Sequence, residues 1–244
     1  MESNQTEPVA EMNVFSRIIN LFVTPSKTFE ALIVKPDWVT PLILFFLMFI
    51  ATSILLKEVI QAEQAVATKE SIMKNTQIPD SQKQESADQA ISMMKKFWAV
   101  GIGVGFIVVL AFYLLGGLAL HIGGKNIMKG EGSYLQALSI FGYSGLVDIL
   151  AGIIKVPLMM ANQTMRVDTG LGMLIATDQT RTPLYIFLSK FDLFTFWQLA
   201  ILIIGLSMLY KFSRGKTAAL VIGLWLIWVL LSVGFTALGT SMGG

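Results

Sequence analysis

The segment GYSG, residues 142–145, places Ser144 inside the apolar run FGYSGLVDIL. A serine inside a membrane helix can act as a nucleophile when a general base lies within hydrogen-bond reach and donors stabilise the oxyanion. The chain has one histidine, His121, which ends an earlier apolar run. Ser144 lies roughly 13 Å inside its own run at 1.5 Å per residue, so the two side chains are expected at different depths. The sequence therefore favours helix packing through small residues, and an intramembrane serine protease is a remote alternative.

Asp148 follows in the same apolar run and is an acid near the centre of a predicted membrane helix. An acid near a helix centre costs about 2.5–3.5 kcal/mol on insertion scales, so it usually faces a cavity or a partner. Lys155 shares its helix face but lies about 10 Å further along the axis. We expect Lys155 to extend to the interface, and Asp148 to be protonated, bonded to another span, or part of a polar path. Tyr143 is a further candidate for such a path.

Other chemistry is not indicated by the sequence. It contains no HExxH or P-loop pattern and no cysteine, so disulfides and thiolate metal sites are excluded. The net charge of +2 gives no footprint for nucleic acid. Asp192 opens a later apolar run, where an acid favours a helix N-terminus. We therefore expect no catalytic residues, no cofactor and no metal.

The elements that position these residues are apolar helices, because 54% of residues are hydrophobic and only 14% are charged. A transmembrane helix needs about 20 mostly apolar residues. The sequence predicts an all-α membrane protein, a bundle of five such helices. The predicted spans cover about 38–56, 97–122, 135–161, 191–212 and 217–238.

Two segments flank the predicted five-helix domain of residues 38–238, and a third, polar segment lies within it. Residues 1–37 form an amphipathic N-terminal segment, in which Phe15 and Ile19 share one helix face. This helix either lies in the membrane interface or packs on the bundle and fixes the first span. The polar loop 57–96 is expected to form a helical hairpin outside the membrane. Residues 239–244 are a short C-terminal tail.

Orientation follows from the distribution of lysine and arginine, which is nearly even between the two faces. Short loops weigh most in the positive-inside rule, and KFSRGK between the last two spans carries three cations. We therefore expect a multi-pass protein of the cell membrane, inner or plasma, with a cytoplasmic N-terminus and the C-terminus outside.

Four stretches together resemble the bacterial branch of the Yip family, named for interaction with Ypt/Rab GTPases. They are FSRIINLFVTPSKTFEAL, KPDWVTPLIL, ALSIFGYSGLVDIL and FDLFTFWQLAILIIGLSMLYKFSRGKTAAL. The residues that carry the resemblance are Pro25, Pro41, Gly142, Tyr143, Asp192, Trp197, Gly205 and Lys216. The resemblance implies five spans, a cytoplasmic N-terminus and no enzymatic activity. The N-terminal arm is short, so Rab binding is not carried over, and the position of Asp148 is usually apolar or proline in the family.

The function expected from the sequence is therefore non-enzymatic. The chain is interpreted as a Yip-type protein in membrane organisation or as a membrane-embedded interaction partner. Its partners would be the lipid bilayer and a membrane protein or a second copy, with no nucleic acid and an unknown small-molecule substrate. The alternative is a transporter or channel for a small solute, ion or lipid, with Asp148, Tyr143 and Lys155 lining its polar path.

Overall fold

The computed structural model describes residues 12–175 and 182–242, which are mostly helical. The α-helices in chain order are α1 (Val14–Val23), α2 (Pro25–Val34), α3 (Val39–Leu55), α4 (Lys57–Lys74), α5 (Asp80–Lys96), α6 (Trp98–His121), α7 (Tyr134–Ser144), α8 (Leu146–Asn162), α9 (Pro183–Ser189), α10 (Leu193–Tyr210) and α11 (Arg214–Met242).

The prediction of an all-α membrane protein is confirmed. Four stretches are long and apolar enough to cross a bilayer, and a fifth is counted when α2 and α3, which meet at 119°, are taken together. The four are Trp98–Ile127, Tyr134–Asn162, Leu193–Tyr210 and Arg214–Leu238. Helix α11 continues to Met242, so the predicted tail at 239–244 is helical as far as the structure describes it.

The start of α7 shows how local sequence fixes a helix end and a tertiary contact together. Ser133 and Gln136 form a reciprocal capping box, which satisfies two backbone donors that have no partner within the helix. The Gln136 amide Nε2 also donates to the carbonyl oxygen of Ile33 at 2.6 Å. The end of α2 is therefore held against the beginning of α7.

The chain divides into two compact units. Unit 1 contains residues 12–44, 112–147 and 197–224, and unit 2 contains residues 45–111, 148–175, 182–196 and 225–242. In unit 1, Phe29 of α2, Ile140 of α7 and Gly205 of α10 meet closely. A Cβ added at Gly205 would lie 3.0 Å from the Phe29 ring, which is tighter than ordinary packing. Glycine is therefore the residue that lets these three helices approach.

In unit 2, residues 57–96 form a helical hairpin, since α4 and α5 pack against each other. Leu56 and Val59 at its base form a buried cluster with Val156 of α8. The Glu63 carboxylate accepts hydrogen bonds from the Thr164 hydroxyl at 2.9 Å and the Met165 N–H at 2.8 Å. The base of the hairpin is thus fixed to the end of α8 by apolar and polar contacts.

The packing of Gly142 generates a first prediction. A Cβ at this position would approach Pro41 Cγ at 2.7 Å and Tyr113 Cε2 at 2.8 Å. The Gly142→Ala variant should lose about 1–3 kcal/mol of stability, the range for overpacked sites. Thermal unfolding in detergent micelles measures the loss.

Gly223→Ala is the matched control, because no atom of the described residues would lie within 4 Å of its Cβ. Equal stability of the two variants would contradict the close approach of α3, α6 and α7.

Candidate functional site

The most connected polar group in unit 1 surrounds Asp37, which lies between α2 and α3. Its Oδ2 contacts Arg17 Nη1 at 3.3 Å and accepts a hydrogen bond from the Tyr143 hydroxyl at 2.7 Å. Its Oδ1 accepts the Thr40 N–H at 3.1 Å, in the first turn of α3. We call Arg17, Asp37, Thr40 and Tyr143 the Asp37 cluster. It joins α1, α3 and α7 through one carboxylate.

The local sequence explains how Arg17 reaches this position. The Asn13 side chain caps α1 by accepting the Ser16 N–H at 2.8 Å. One turn later the carbonyl oxygen of Arg17 accepts the hydroxyl of the fully buried Thr28 on α2, at 2.9 Å. Helices α1 and α2 are therefore fixed to each other next to the ion pair.

The short connection before α3 is also held from α6. Tyr113 donates its hydroxyl to the carbonyl oxygen of Trp38 at 2.7 Å. Because the Tyr143 hydroxyl is bonded to the adjacent residue, Asp37, two tyrosines from two helices fix consecutive residues of the connection. Helix α3 thus begins in a defined direction relative to α6 and α7.

In the Asp37 cluster, the positive charge of Arg17 and the negative charge of Asp37 stabilise each other. The Arg17 side chain is 10% exposed and that of Asp37 is 17% exposed, so both groups have lost most of their hydration. Arginine stays charged, and a buried ion needs a counter-ion and hydrogen bonds to offset desolvation. Arg17 Nε is buried without a hydrogen-bond partner among the described residues. Removing Asp37 would therefore leave a buried cation poorly compensated.

The GYSG segment has packing and hydrogen-bonding roles in this unit. Ser144 has no exposed surface, and its hydroxyl donates to the carbonyl oxygen of Ile140 in its own helix at 2.7 Å. His121 instead makes an edge contact with the ring of Tyr134, with 6.0 Å between ring centroids. The Ser144 hydroxyl therefore donates its proton to a helix carbonyl, and its side chain is not accessible to a substrate.

A second polar cluster lies in unit 2 and contains Lys155, Thr169 and Asp192; we call it the Asp192 cluster. Lys155 Nζ lies 2.8 Å from Asp192 Oδ2, and the Thr169 hydroxyl donates to the same oxygen. Asp192 Oδ1 accepts the N–H groups of Phe194 and Thr195 at 2.7 and 3.3 Å. Asp192 thus caps α10, as the sequence predicts.

Lys155 extends towards the start of α10. Its ammonium pairs with Asp192, which caps that helix, and lies 5.5 Å from the centre of the Phe194 ring. The opposite charge of Asp192 offsets the lost hydration of the ammonium. That Lys155 reaches the membrane interface stays a prediction. The sequence could not reveal this pair, since the two residues lie 37 positions apart.

The segment before α9 is held by a smaller polar group in the same unit. Tyr185 donates its hydroxyl to the Asp168 carboxylate at 3.1 Å, and the Arg166 guanidinium lies over the Tyr185 ring at 5.9 Å. Burial and then the adjacent Asp168 charge raise the pKa of Tyr185 to about 12. The tyrosine therefore stays protonated and remains a donor at neutral pH.

Asp148 lies on the exposed side of α8, directly after the buried residues Leu146 and Val147. Of the other two residues suggested for a polar path, Tyr143 belongs to the Asp37 cluster of unit 1 and Lys155 to the Asp192 cluster of unit 2. Among the described residues, no group of three or more acids or histidines could hold a metal ion.

Most other motif residues of the sequence lie in contacts within unit 1. Trp197 makes an edge contact with Phe22 of α1, with 5.7 Å between centroids. Lys216 donates to the carbonyl oxygen of Met128 and lies 3.8 Å from the centre of the Phe212 ring. Pro25 is the first residue of α2, where its missing N–H is not needed.

Sequence reasoning missed Arg17, Asp37 and Tyr113 as members of this network. Asp37 and Tyr143 are 106 residues apart, and Tyr113 and Trp38 are 75 apart. The one available signal was a lone charged residue, Arg17, in the mostly apolar helix VFSRIINLFV. A cation in such a position needs a counter-ion, and Asp37 is the acid that supplies it.

The Tyr143 hydroxyl generates a second prediction. Tyr143→Phe removes a buried donor to a carboxylate, which should cost about 1.5–3 kcal/mol because the bond is charge-assisted. Tyr134→Phe removes a bond of 3.0 Å to the neutral carbonyl of Leu114 and should cost about 0.5–1.5 kcal/mol. Chemical unfolding of both variants in the same detergent gives the two values. An equal or larger loss for Tyr134→Phe would contradict a charged Asp37.

Comparison with known proteins gives one match. The family model described as Yip1 domain matches residues 19–236, a range that contains Asp37, Tyr113 and Tyr143 and begins just after Arg17. No curated protein and no solved structure matches the chain.

Proposed function

The chain belongs to the Yip1 domain family, whose model covers most of its length, and on this premise we propose that it is a non-enzymatic, membrane-embedded interaction partner that acts in membrane organisation. That it is an integral membrane protein of Yip type follows from the family and from its apolar helices. The partner would be a membrane protein or a second copy of the chain, in addition to the surrounding lipid.

The observation that carries the proposal is the exposure of Asp148 on α8. This residue lies in the middle of Tyr134–Asn162, a stretch apolar enough to span a bilayer. Ionisable residues within membrane helices usually face a polar partner or a water-filled path, and the exposed side of Asp148 can contact either one in addition to any contact within the chain. A helix of another membrane protein with a donor at the same level fits such a position.

The absence of enzymatic activity is supported by Ser144. The residue is fully buried and its hydroxyl is bonded to Ile140, whereas a nucleophile needs a base within reach and an approach for substrate. A fluorophosphonate probe should leave Ser144 unlabelled in membranes, and labelling there would overturn this part of the proposal.

We place the N-terminus in the cytoplasm of a cell-membrane protein. The short connections at one end of unit 1 meet through Lys211 and Glu131, whose charged groups lie 2.7 Å apart, and through Lys216 and Met128. Lys129 lies in one connection, and Lys211, Arg214 and Lys216 lie in the other or in the first turn of α11; short positive loops stay on the cytoplasmic side. The same unit contains α1 and α2.

The role of Asp148 can be tested with single cysteines, because the chain has none of its own. Asp148→Cys, coupled to a photoreactive maleimide and irradiated in native membranes, should give an adduct with one protein that mass spectrometry identifies. Ile153→Cys on the same helix is the control, since its side chain is 61% exposed but lies on another face. It should give no such adduct.

A transport role gives a different pattern with the same variants. A water-filled path would let a charged, membrane-impermeant maleimide label the Asp148→Cys variant but not the Ile153→Cys variant, and Asp148→Asn would reduce solute flux in vesicles. Labelling of that kind without a protein adduct would contradict the partner role.

A further inference from the structure

Helix α1 carries apolar residues on the side that faces away from unit 1. Phe15, Ile19 and Val23 are 73%, 47% and 73% exposed. They follow one another at intervals of four residues, so they form a single stripe along the helix. Arg17 and Leu21, which are buried, lie on the opposite side. The helix therefore packs on the protein with one side and presents a continuous apolar stripe with the other.

Helix α2 provides an internal comparison, because it has the same length and packs in the same unit. The exposed residues of its first two turns are Ser26, Lys27 and Glu30, which are polar or charged, and only its last residue, Val34, is exposed and apolar. The two neighbouring helices thus present opposite surfaces. A polar outer face is suited to water, whereas an apolar outer face on an adjacent helix is suited to a hydrophobic medium.

The polar residues of α1 occupy its remaining flank. Asn13 caps the helix, and the Asn20 amide donates to the carbonyl oxygen of Ser16 at 2.8 Å. A broad apolar arc bordered by small polar residues is the pattern of a helix that lies parallel to the membrane with its apolar side in the acyl chains. The flank that carries Asn13, Ser16 and Asn20 would then face the headgroups.

The position of α1 in the chain restricts what can cover the stripe. Only α2 and the connection 35–38 separate it from α3, the first span, whose early residues Val39 and Ile43 are exposed and apolar. The Asp37 cluster fixes α1 to that same connection. The stripe is therefore held close to the start of α3, whose first exposed residues are also apolar.

We propose that α1 is an interfacial anchor, which lies in the surface of one leaflet with Phe15, Ile19 and Val23 inserted among the lipid acyl chains. The Arg17–Asp37 ion pair then couples a helix in the membrane plane to a helix that crosses it. This assignment stands apart from the partner role of Asp148, because it rests on different residues of a different unit.

The test uses full-length single-cysteine variants labelled with an environment-sensitive fluorophore, in nanodiscs that hold one copy of the chain. Ile19→Cys reports the stripe, and Glu30→Cys on the polar face of α2 is the matched control. We expect a blue-shifted emission at position 19, strong quenching by nitroxide lipids and loss of quenching by aqueous iodide. Position 30 should show the reverse, with iodide quenching retained.

Two results would overturn the proposal. Iodide quenching at position 19 equal to that at position 30 would show that the stripe faces water. Protection from iodide without quenching by nitroxide lipids, or protection that appears only at high protein-to-lipid ratio in vesicles, would show that protein covers the stripe.

A triple variant, Phe15→Ser with Ile19→Ser and Val23→Ser, tests the stripe without a label. It retains Arg17, Leu21 and the polar flank, so α1 can still dock. Backbone amides of α1 should exchange with deuterium faster than in the unaltered chain, because the lipid contact is lost, while those of α2 should be unchanged. Unchanged exchange in α1 would contradict the anchor.

Discussion

The ion pair between Arg17 and Asp37 constrains the rest of unit 1, because neither charge can be buried without the other. Asp37 is bonded to Tyr143 and to the start of α3 as well, so α1, α3 and α7 must be in place at the same time. Lipid tails are as apolar as the side chains of these helices, so burial of apolar surface gives little driving force for their association. The buried polar cluster adds specific contacts, and it gives α3 a defined starting point.

Glycine makes this arrangement sterically possible. Gly142 brings α7 against Pro41 and Tyr113, and its neighbour Tyr143 then reaches Asp37. Gly205 brings α10 against Phe29 of α2. The motif residues of unit 1 therefore act mainly in helix packing. Gly142 and Gly205 allow neighbouring helices to approach closely, and Tyr143 donates the hydrogen bond to Asp37.

The sequence predicts the helices well and their polar contacts poorly. The ends of each predicted span lie within a few residues of helix ends, because a long apolar run is a local signal, but the third predicted span consists of two helices, α7 and α8. The capping role of Asp192 is local too, and the structure shows it. Its pairing with Lys155 and the pairing of Asp37 with Tyr143 join residues far apart in the chain, so no spacing rule reveals them.

The account depends most on the coupling between Arg17 and Asp37, and a double-mutant cycle measures that coupling directly. The variants are Arg17→Met, Asp37→Asn and the two combined, with unfolding followed in one lipid or detergent system. Each single variant leaves a buried charge without its partner, so the combined loss should be smaller than the sum by about 1 kcal/mol or more. Losses that add within about 0.5 kcal/mol would show that the two charges do not act together and would contradict the account.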